Sequence, residues 1–341
     1  MANLRANKIV GIGSTDAGVV FDGPIKINTQ GVMYFPTGTT TQRGRGRGIL
    51  SGGYTPTPTG TYNATIQYLQ IQSQGNTIDF GDLTVGRSEM GSSASSTRGV
   101  NGGGYTESPS AAKLNTIDYI TIATTGDATD FGDLLSTNQT GPGACGSNTR
   151  GIIAWGGRNN SNTLINNIEY ITIATTGNGT DFGDATSASR ADAKCSSPTR
   201  GIRGGGYVSA AINLIEYLTI ATTGNATDFG DLVTTQYGGR SSSSNTRCVW
   251  GGGSATNVIQ YIEIATTGNS VDFGDLKSVI TANSSVGNSI RGVFAGGYTP
   301  TFVNTMDYVN IATTGNANDF GDANSLSRNM GALSDSHGGL S

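Results

Sequence analysis

The chain has 341 residues, including 53 glycines, with 13% charged residues and a formal net charge of −4. Such a length fits two domains or one large ring. The sequence contains no basic stripe with interleaved aromatic residues, which argues against nucleic-acid binding. It also lacks a run of 18 apolar residues, so we predict no membrane span. The dominance of Thr, Ile, Val, Tyr, Ser, Asn and Gly favours short strands joined by turns.

Residues 1–43 are not repeated elsewhere in the chain. The tracts 19–23 and 25–35 predict two or three strands, which are too few to form their own core. We therefore expect an N-terminal anchor and oligomerisation segment. It lacks the apolar core of a signal peptide. The Arg-Gly-Arg-Gly-Arg run at 43–47 leaves two interpretations open, an RNA contact or a solvated linker into the first strand.

Two sequence markers recur six times in the same order, 44 to 52 residues apart. The first is an arginine that opens a glycine-rich strand, at Arg47, Arg98, Arg150, Arg200, Arg247 and Arg291. The second is an Asp-Phe-Gly-Asp tract, which ends at Asp82, Asp133, Asp184, Asp231, Asp275 and Asp322. A period of this size indicates that each copy is one supersecondary unit.

Each repeat is predicted to form four short strands. The arginine-led strand is followed by a loop of variable sequence and then by a strand such as Ile-Glu-Tyr-Ile-Thr-Ile-Ala at 168–174. Thr-Thr-Gly-Asn predicts a tight turn into the Asp-Phe-Gly-Asp strand, and a polar strand leads to the next arginine. Four strands are the size of a propeller blade. The sequence therefore predicts an all-β fold, a six-bladed β-propeller over residues 44–341.

The two ends of the repeat array favour a closed ring. The first repeat begins at Arg47 without a preceding polar strand of the kind that the other repeats have. A surplus strand follows the last Asp-Phe-Gly-Asp tract, at residues 327–337. We expect this C-terminal strand to complete blade 1, because closure removes exposed sheet edges.

The loop after the arginine-led strand differs in every repeat. In the first three repeats it contributes Thr55, Thr57, Thr59, Glu107, Arg158, Asn159 and Asn160. Equivalent loops of a ring should cluster on one face, and loops on a rigid scaffold often carry binding. Two interpretations stay open: these residues form a binding surface, or the exposed loops have drifted neutrally.

The Asp-Phe-Gly-Asp tracts allow a structural and a metal-binding interpretation. In the first, their carboxylates bond to backbone amides or pair with the repeat arginines. In the second, two carboxylates three residues apart and a nearby Asn bind calcium. The tract lacks the denser Asp/Asn ladder of calcium loops, so we favour the structural interpretation and expect no cofactor.

The chain offers few groups for catalysis. Its only histidine is His337, on which any Ser-His-Asp or Cys-His site would depend, so we expect no enzymatic activity. The three cysteines, Cys145, Cys195 and Cys248, are too few for a disulfide framework. We interpret them as small buried thiols.

The order of a Gly-Gly pair, a Tyr-bearing strand, an aromatic residue and an Arg resembles the Kelch repeat. The resemblance covers about residues 44–341 and implies a β-propeller. Kelch usually has Trp where this chain has Phe80, Phe131, Phe182, Phe229, Phe273 and Phe320. Phenylalanine can fill the same space between blades. Kelch-like folds host many functions, so this resemblance does not decide the function.

A second resemblance is to proteins of marine tailed bacteriophages. The start Met-Ala-Asn-Leu-Arg-Ala-Asn-Lys-Ile and the tract 35–43 look like the leaders of their virion and tail-appendage proteins. The repeat Tyr-Ile-Thr-Ile-Ala-Thr-Thr-Gly-Asn and the ending Ser-Asp-Ser-His-Gly-Gly-Leu look like proteins of the same viruses. The resemblance implies a non-enzymatic structural protein of the virion, on a tail fibre or as a surface decoration, assembled in the host cytoplasm.

The partners that this resemblance implies are other virion proteins, bound through residues 1–43, and further copies of the chain in a homo-oligomer. A glycan or protein of the host surface is a further implied partner. The propeller would then serve host attachment or particle stabilisation. The alternative is a cellular Kelch-type module that binds proteins or glycans.

Overall fold

The computed structural model describes residues 46–56, 60–108, 110–138, 145–254 and 256–340. The predicted anchor at residues 1–43 lies outside these ranges, as do Thr57 and Thr59 of the first variable loop. In the described part of the chain every regular element is a strand. No helix there is long and apolar enough to cross a membrane.

Six antiparallel sheets form the blades of a β-propeller, which confirms the predicted fold class. The first strands of neighbouring blades contact one another around the axis, so the strands are given from the centre outward. Blade 1 consists of Gly331–Ser334, Arg47–Ser51, Thr65–Gln70 and Ile78–Asp82. Blade 2 consists of Gly91–Ala94, Arg98–Gly102, Thr116–Thr121 and Thr129–Asp133. Blade 3 consists of Arg150–Arg158, Leu164–Thr172 and Thr180–Asp184.

The other three blades each have four described strands. Blade 4 consists of Ala193–Ser196, Arg200–Gly204, Ile212–Thr219 and Thr227–Gln236. Blade 5 consists of Arg240–Ser243, Arg247–Gly251, Thr256–Glu263 and Val271–Ile280. Blade 6 consists of Ser284–Gly287, Arg291–Thr299, Thr301–Asn310 and Asn318–Asp322.

Three smaller features complete the strand inventory of the described residues. In blade 3 the innermost position is taken by Gly146, which forms a single bridge to Gly151. Two short hairpins lie in the loops of blades 1 and 2. They pair Tyr54–Thr55 with Thr61–Tyr62, and Tyr105–Thr106 with Ala112–Lys113.

Blade 1 contains both ends of the repeat array. Its innermost strand pairs antiparallel with Arg47–Ser51, so that Ser334 lies opposite Gly48 and Gly331 opposite Ser51. The remaining strands of the blade come from the first repeat. Because one sheet holds both ends together, the ring has no open edge at this blade.

The hydrophobic core is divided into six clusters in the described part of the chain, each between neighbouring blades. The phenylalanine of each Asp-Phe-Gly-Asp tract belongs to one cluster and is at most 3% exposed. Burying such a side chain contributes about 2–3 kcal/mol. In every blade this ring meets a tyrosine of the third strand edge to face, with centroids 5.8 to 6.1 Å apart.

The innermost strands are rich in serine and pack against each other at the axis. Ser243 Oγ donates to the Ser196 carbonyl oxygen at 2.8 Å, and Ser196 Oγ donates to the Gly146 carbonyl oxygen at 2.9 Å. Ser93 Oγ donates in the same way to the Cys145 carbonyl oxygen at 3.0 Å. Small hydroxyl side chains therefore join blades where larger ones would hold the strands apart.

The C-terminal tail is buried among the inner ends of the blades. His337 is 6% exposed, and its Nε2 lies 3.0 Å from the Ala94 carbonyl oxygen. Its Nδ1 accepts a hydrogen bond of 3.1 Å from the Gly339 amide. A Cβ atom at Gly338 would stand 2.6 Å from the Ser196 carbonyl oxygen, so this position requires glycine. The tail thus packs as part of the scaffold.

Candidate functional site

The two faces of the ring carry different loops. One face, which we call the variable face, carries the loops between second and third strands and the connections from each outer strand to the next blade. The opposite face, the regular face, carries the other two sets of turns. Backbone bridges join the two kinds of segment on the variable face, at Tyr54–Arg328, Ser88–Tyr105, Arg190–Tyr207 and Thr281–Tyr298.

The repeat arginines link neighbouring blades near the regular face. The Arg98 guanidinium lies 4.4 Å from the centre of the Tyr119 ring in its own blade. Its Nη1 donates to the Ile173 and Ala174 carbonyl oxygens of the next blade, both at 3.0 Å. All six arginines repeat the ring contact, at 4.2 to 4.8 Å, and each donates to at least one carbonyl oxygen of the next blade. Cation–π contacts of this kind contribute about 0.5–2 kcal/mol each.

The Asp-Phe-Gly-Asp tracts hold the turn of the following blade. The Asp133 amide donates to Asn178 Oδ1 at 3.1 Å, and the Gly177 amide donates to the Phe131 carbonyl oxygen at 2.8 Å. The same pair of bonds recurs at all six blade interfaces, with Asp127 Oδ1 as the acceptor in place of asparagine between blades 1 and 2. Asp322 and Asn76 form the one that joins blade 6 to blade 1. These contacts between blades explain why the same tract occurs in every repeat.

For the carboxylates of these tracts we left two alternatives open, hydrogen bonds to backbone amides or pairing with the repeat arginines. The second is not found: those arginines contact carbonyl oxygens, and no ion pair joins the two sets among the described residues. The carboxylates at the ends of the tracts lie at the surface. In the described ranges no group of three or more Asp, Glu, His or Cys could hold a metal ion. Calcium binding stays an open alternative to our expectation of no cofactor, and a calorimetric titration tests it.

A third link between blades was missed in the sequence. The residue directly before the tyrosine of each third strand is polar and points between blades, at Gln67, Asp118, Glu169, Glu216, Gln260 and Asp307. Glu169 Oε2, for example, accepts a hydrogen bond of 2.9 Å from the Leu135 amide of the preceding blade. Burial raises the pKa of Glu169. The sequence pattern that could have revealed this position is a polar residue between Ile and Tyr in most repeats.

In blade 4 this position belongs to a buried charge cluster. Arg203 Nη1 lies 2.6 Å from Glu216 Oε1, and Arg203 Nε lies 2.8 Å from Asp192 Oδ2. Lys194 also pairs with Asp192, and Trp155 Nε1 donates to Glu216 at 2.8 Å. Burial opposes ionisation of Asp192, but the charges of Arg203 and Lys194 lower its pKa. Each buried charge is compensated, as burial requires.

The cysteines do not all remain thiols. Cys195, on the innermost strand of blade 4, forms a disulfide with Cys248 on the second strand of blade 5. The prediction of three buried thiols is thus wrong for this pair. The repeats place the two residues on facing strands of neighbouring blades, a proximity that spacing alone does not reveal. Cys145 remains a free buried thiol, and burial raises its pKa to about 12.

The variable face carries a continuous row of aromatic rings. Neighbouring ring centroids are 5.1 to 5.9 Å apart along Tyr298, Phe302, Tyr54, Tyr62 and Tyr105, which we call the aromatic row. Arg328 lies over three of these rings, at 5.1 to 5.9 Å. The row crosses blades 6, 1 and 2, which confirms that loops of neighbouring repeats share a face. Partly exposed tyrosines combine apolar area with a polar tip, a combination common in binding surfaces.

A cleft of about 350 Å³ follows the aromatic row, between the loops of blades 2 and 3. It is lined by Tyr105, Ala111, Ala112, Lys113, Arg158, Asn160 and Asn162. Lys113 fixes its two sides together, because its Nζ donates to Asn162 Oδ1 at 2.8 Å and its amide donates to Asn160 Oδ1 at 3.0 Å. The Lys113 Nζ also lies 5.7 Å from the centre of the Tyr105 ring.

The blade 3 wall of the cleft is a long hairpin. Its turn is closed by the Thr163 amide, which donates to Asn159 Oδ1 at 3.0 Å, and by the Asn162 amide, which donates to the Asn159 carbonyl oxygen at 2.9 Å. Asn162 has a φ of 59°, a left-handed conformation that asparagine tolerates well. The asparagine-rich loop is therefore a defined turn that holds Asn160 and Asn162 toward blade 2.

The predicted binding residues are distributed unevenly. Arg158 and Asn160 line the cleft, and Asn159 closes its turn. Glu107 lies at the rim, where the Tyr105 hydroxyl donates to it at 3.3 Å. Thr55 lies in the blade 1 hairpin, bonded to Thr61. Sequence reasoning missed the other five cleft residues, among them Tyr105, Lys113 and Asn162, although the rarity of lysine in the chain marked Lys113 as unusual.

Comparison with known proteins does not assign the chain to a family. The repeated contacts between blades explain the scaffold, but they do not involve the aromatic row or the cleft. No protein-family model matches the chain, and no curated protein matches it.

Proposed function

We propose that the chain is a non-enzymatic binding protein that uses its variable face to attach a bacteriophage particle to the host surface. The observation that carries the proposal is the location of the aromatic row and the polar cleft on the face where the repeats differ. Every blade is held by the same contacts, and those repeated contacts do not involve Tyr62, Tyr105 or Lys113.

The chemistry of the variable face fits recognition of glycans or proteins. Tyrosine rings supply apolar area at a small cost in conformational entropy, and asparagine and hydroxyl groups supply hydrogen bonds. Burial and the charge of Glu107 raise the pKa of Tyr105, so its hydroxyl remains a hydrogen-bond donor at neutral pH. The cleft is also within the size range of small-ligand sites.

Two observations support a place in the virion. The repeat and the first residues of the chain resemble proteins of marine tailed bacteriophages. The Cys195–Cys248 disulfide suits a protein that works in an oxidising medium, since such bonds are rare in the cytosol. A particle released by lysis meets that medium, whereas a cellular Kelch-type module does not.

Mass spectrometry of purified virions, combined with binding of the purified protein to host cells, tests the proposal. We expect the protein in the particle and saturable binding to the cells. A soluble protein absent from the particle would instead support the cellular Kelch-type module.

The proposed anchor has its own test. Deleting residues 1–43 should abolish incorporation into virions, because this segment is proposed to bind other virion proteins. It is also proposed to join copies of the chain in a homo-oligomer. Circular dichroism and thermal melting should show that residues 44–341 still fold in the deletion variant. Normal incorporation of the deletion variant would overturn the anchor.

A further inference from the structure

We propose that the cleft between blades 2 and 3 binds an acidic saccharide, with Arg158 and Lys113 holding a sugar carboxylate. This inference rests on the proposed function, since it names the ligand class of the same variable face. It goes further by assigning the site to one cleft and the specificity to two cations.

The first argument is the arrangement of charge. Lys113 is only 7% exposed, yet its side-chain partners are the neutral Asn162 amide and the Tyr105 ring. Neither Lys113 nor Arg158 forms an ion pair with a carboxylate among the described residues. A buried cation is costly unless an anion accompanies it. A ligand carboxylate would supply that charge.

The second argument is an unused hydrogen-bond donor on a residue that lines the cleft. The buried Arg158 Nε has no hydrogen-bond partner in the described part of the chain. Burial and the neighbouring charge of Arg158 lower the pKa of Lys113, whereas Glu89 raises it. An anion between the two cations would relieve their repulsion. An arginine also binds a carboxylate through two parallel hydrogen bonds.

The third argument is the neutral lining, which suits a sugar ring. Tyr105 offers an aromatic edge beside the cations, and the aromatic row continues from it through Tyr62. The exposed side chains of Asn160 and Asn162 can bond to hydroxyl groups. A volume of about 350 Å³ accommodates one or two sugar units. An acidic peptide has no comparable use for the ring, so we favour the saccharide.

Isothermal titration calorimetry of the full chain with digalacturonate tests the proposal. The probes for comparison are the neutral disaccharide of the same linkage and tetraglutamate. We expect binding to digalacturonate at least tenfold tighter than to either, and weaker binding as salt is raised. Equal affinity for the neutral disaccharide, or tighter binding of tetraglutamate, would overturn the assignment.

Two variants locate the site. Arg158→Gln should weaken digalacturonate binding about tenfold or more, whereas Lys277→Gln, which removes an exposed cation of blade 5, should not change it. Arg158 is half-buried at the end of its strand, so the variant is expected to fold, and its melting temperature checks this. Unchanged binding by a folded Arg158→Gln variant would sink the proposal.

Host-cell binding separates this inference from the proposed function. If the wild-type protein binds cells but not digalacturonate, the ligand class is wrong and the attachment role stands. If it binds digalacturonate through Arg158 but not cells, the cleft is assigned correctly and the attachment role is wrong.

Discussion

The regular and variable faces are made from the same six repeats but are held in different ways. Near the regular face, each blade contacts its neighbour through an arginine that donates to a carbonyl oxygen and through an asparagine, or Asp127 in blade 2, that accepts from an aspartate amide. On the variable face, contacts between neighbouring loops differ from blade to blade: aromatic rings join blades 6, 1 and 2, and Lys113 joins blades 2 and 3. Identical contacts fix the ring, and unlike contacts leave room for a specific surface.

Under the proposed function, this difference separates stability from recognition. A change at a repeated contact should lower the free energy of unfolding and leave ligand binding alone. A change in the variable loops should do the reverse. The following variants test that separation, in order of decreasing effect on stability.

The largest effect is expected for the disulfide. Cys195→Ala removes a cross-link between residues 53 apart, which should lower the free energy of unfolding by about 4 kcal/mol. Cys145→Ala, at the equivalent position of blade 3, removes a thiol without a cross-link and should cost about 1 kcal/mol. Urea denaturation measures both. A reductant should weaken the wild type and leave Cys195→Ala unchanged; an unaffected wild type would contradict the cross-link.

The polar position between blades should respond according to its partners. Glu216→Gln leaves Arg203 short of one buried partner charge and should cost about 3 kcal/mol. Glu169→Gln should be nearly neutral, since Gln67 and Gln260 occupy the same position in other blades. Equal losses for the two variants would show that the charge cluster contributes nothing beyond the hydrogen bond.

The same pair predicts a pH dependence. Burial raises the pKa of Glu169 in the folded state, so the folded protein binds more protons than the unfolded one above the ordinary Glu pKa. The free energy of unfolding should therefore fall as the pH rises from the ordinary Glu pKa to the raised one. The Glu169→Gln variant lacks this titration, so its free energy of unfolding should increase relative to that of the wild type from about pH 4 to pH 8. Urea denaturation at both values checks the sign.

Two glycines that face each other across one blade interface should differ sharply. Gly132 has a φ of 145°, and a Cβ there would stand 2.5 Å from the Gly177 carbonyl oxygen. Gly132→Ala should cost about 2 kcal/mol through strain and overlap. Gly177 has a φ of 159° but open space around it, so Gly177→Ala should cost less, through backbone strain without overlap. Thermal melting of the pair tests whether close approach explains the glycine of the repeat.

The smallest effect is expected on the variable face. Asn162→Ala removes the hydrogen bond to Lys113 and an asparagine suited to a φ of 59°, so it should cost about 1 kcal/mol. The variant should change the free energy of digalacturonate binding by more than it changes the free energy of unfolding. A loss of stability comparable to that of Glu216→Gln would mean that the loops also hold the ring together.

Much of the fold could be predicted because the repeat itself carries it. The period fixes the number of blades, and the burial of Phe80 and its counterparts follows from their apolar character. The partners of the repeated polar groups were harder to predict, because Arg98 reaches the next blade and Asn178 reaches the preceding one. Such contacts depend on how neighbouring blades pack, which spacing within a repeat does not encode.

The candidate site could be predicted only in part. Variability pointed to the loops of Arg158 and Asn160, but the cleft also needs Tyr105 and Lys113 from blade 2. Tyr105 resembles the tyrosines of other repeats in sequence, and only its neighbours make it different. A site assembled from two repeats is not visible in either one alone.

The separation of stability from recognition can be measured most directly as host-cell binding by two matched variants. Tyr62→Ser with Tyr105→Ser alters the variable face, and Thr124→Ala with Asp130→Asn alters exposed positions on the regular face of blade 2. With labelled full-length protein, the first variant should lose at least tenfold in apparent affinity and the second should match the wild type. Loss of binding by the regular-face variant, with the variable-face variant unaffected, would contradict the account.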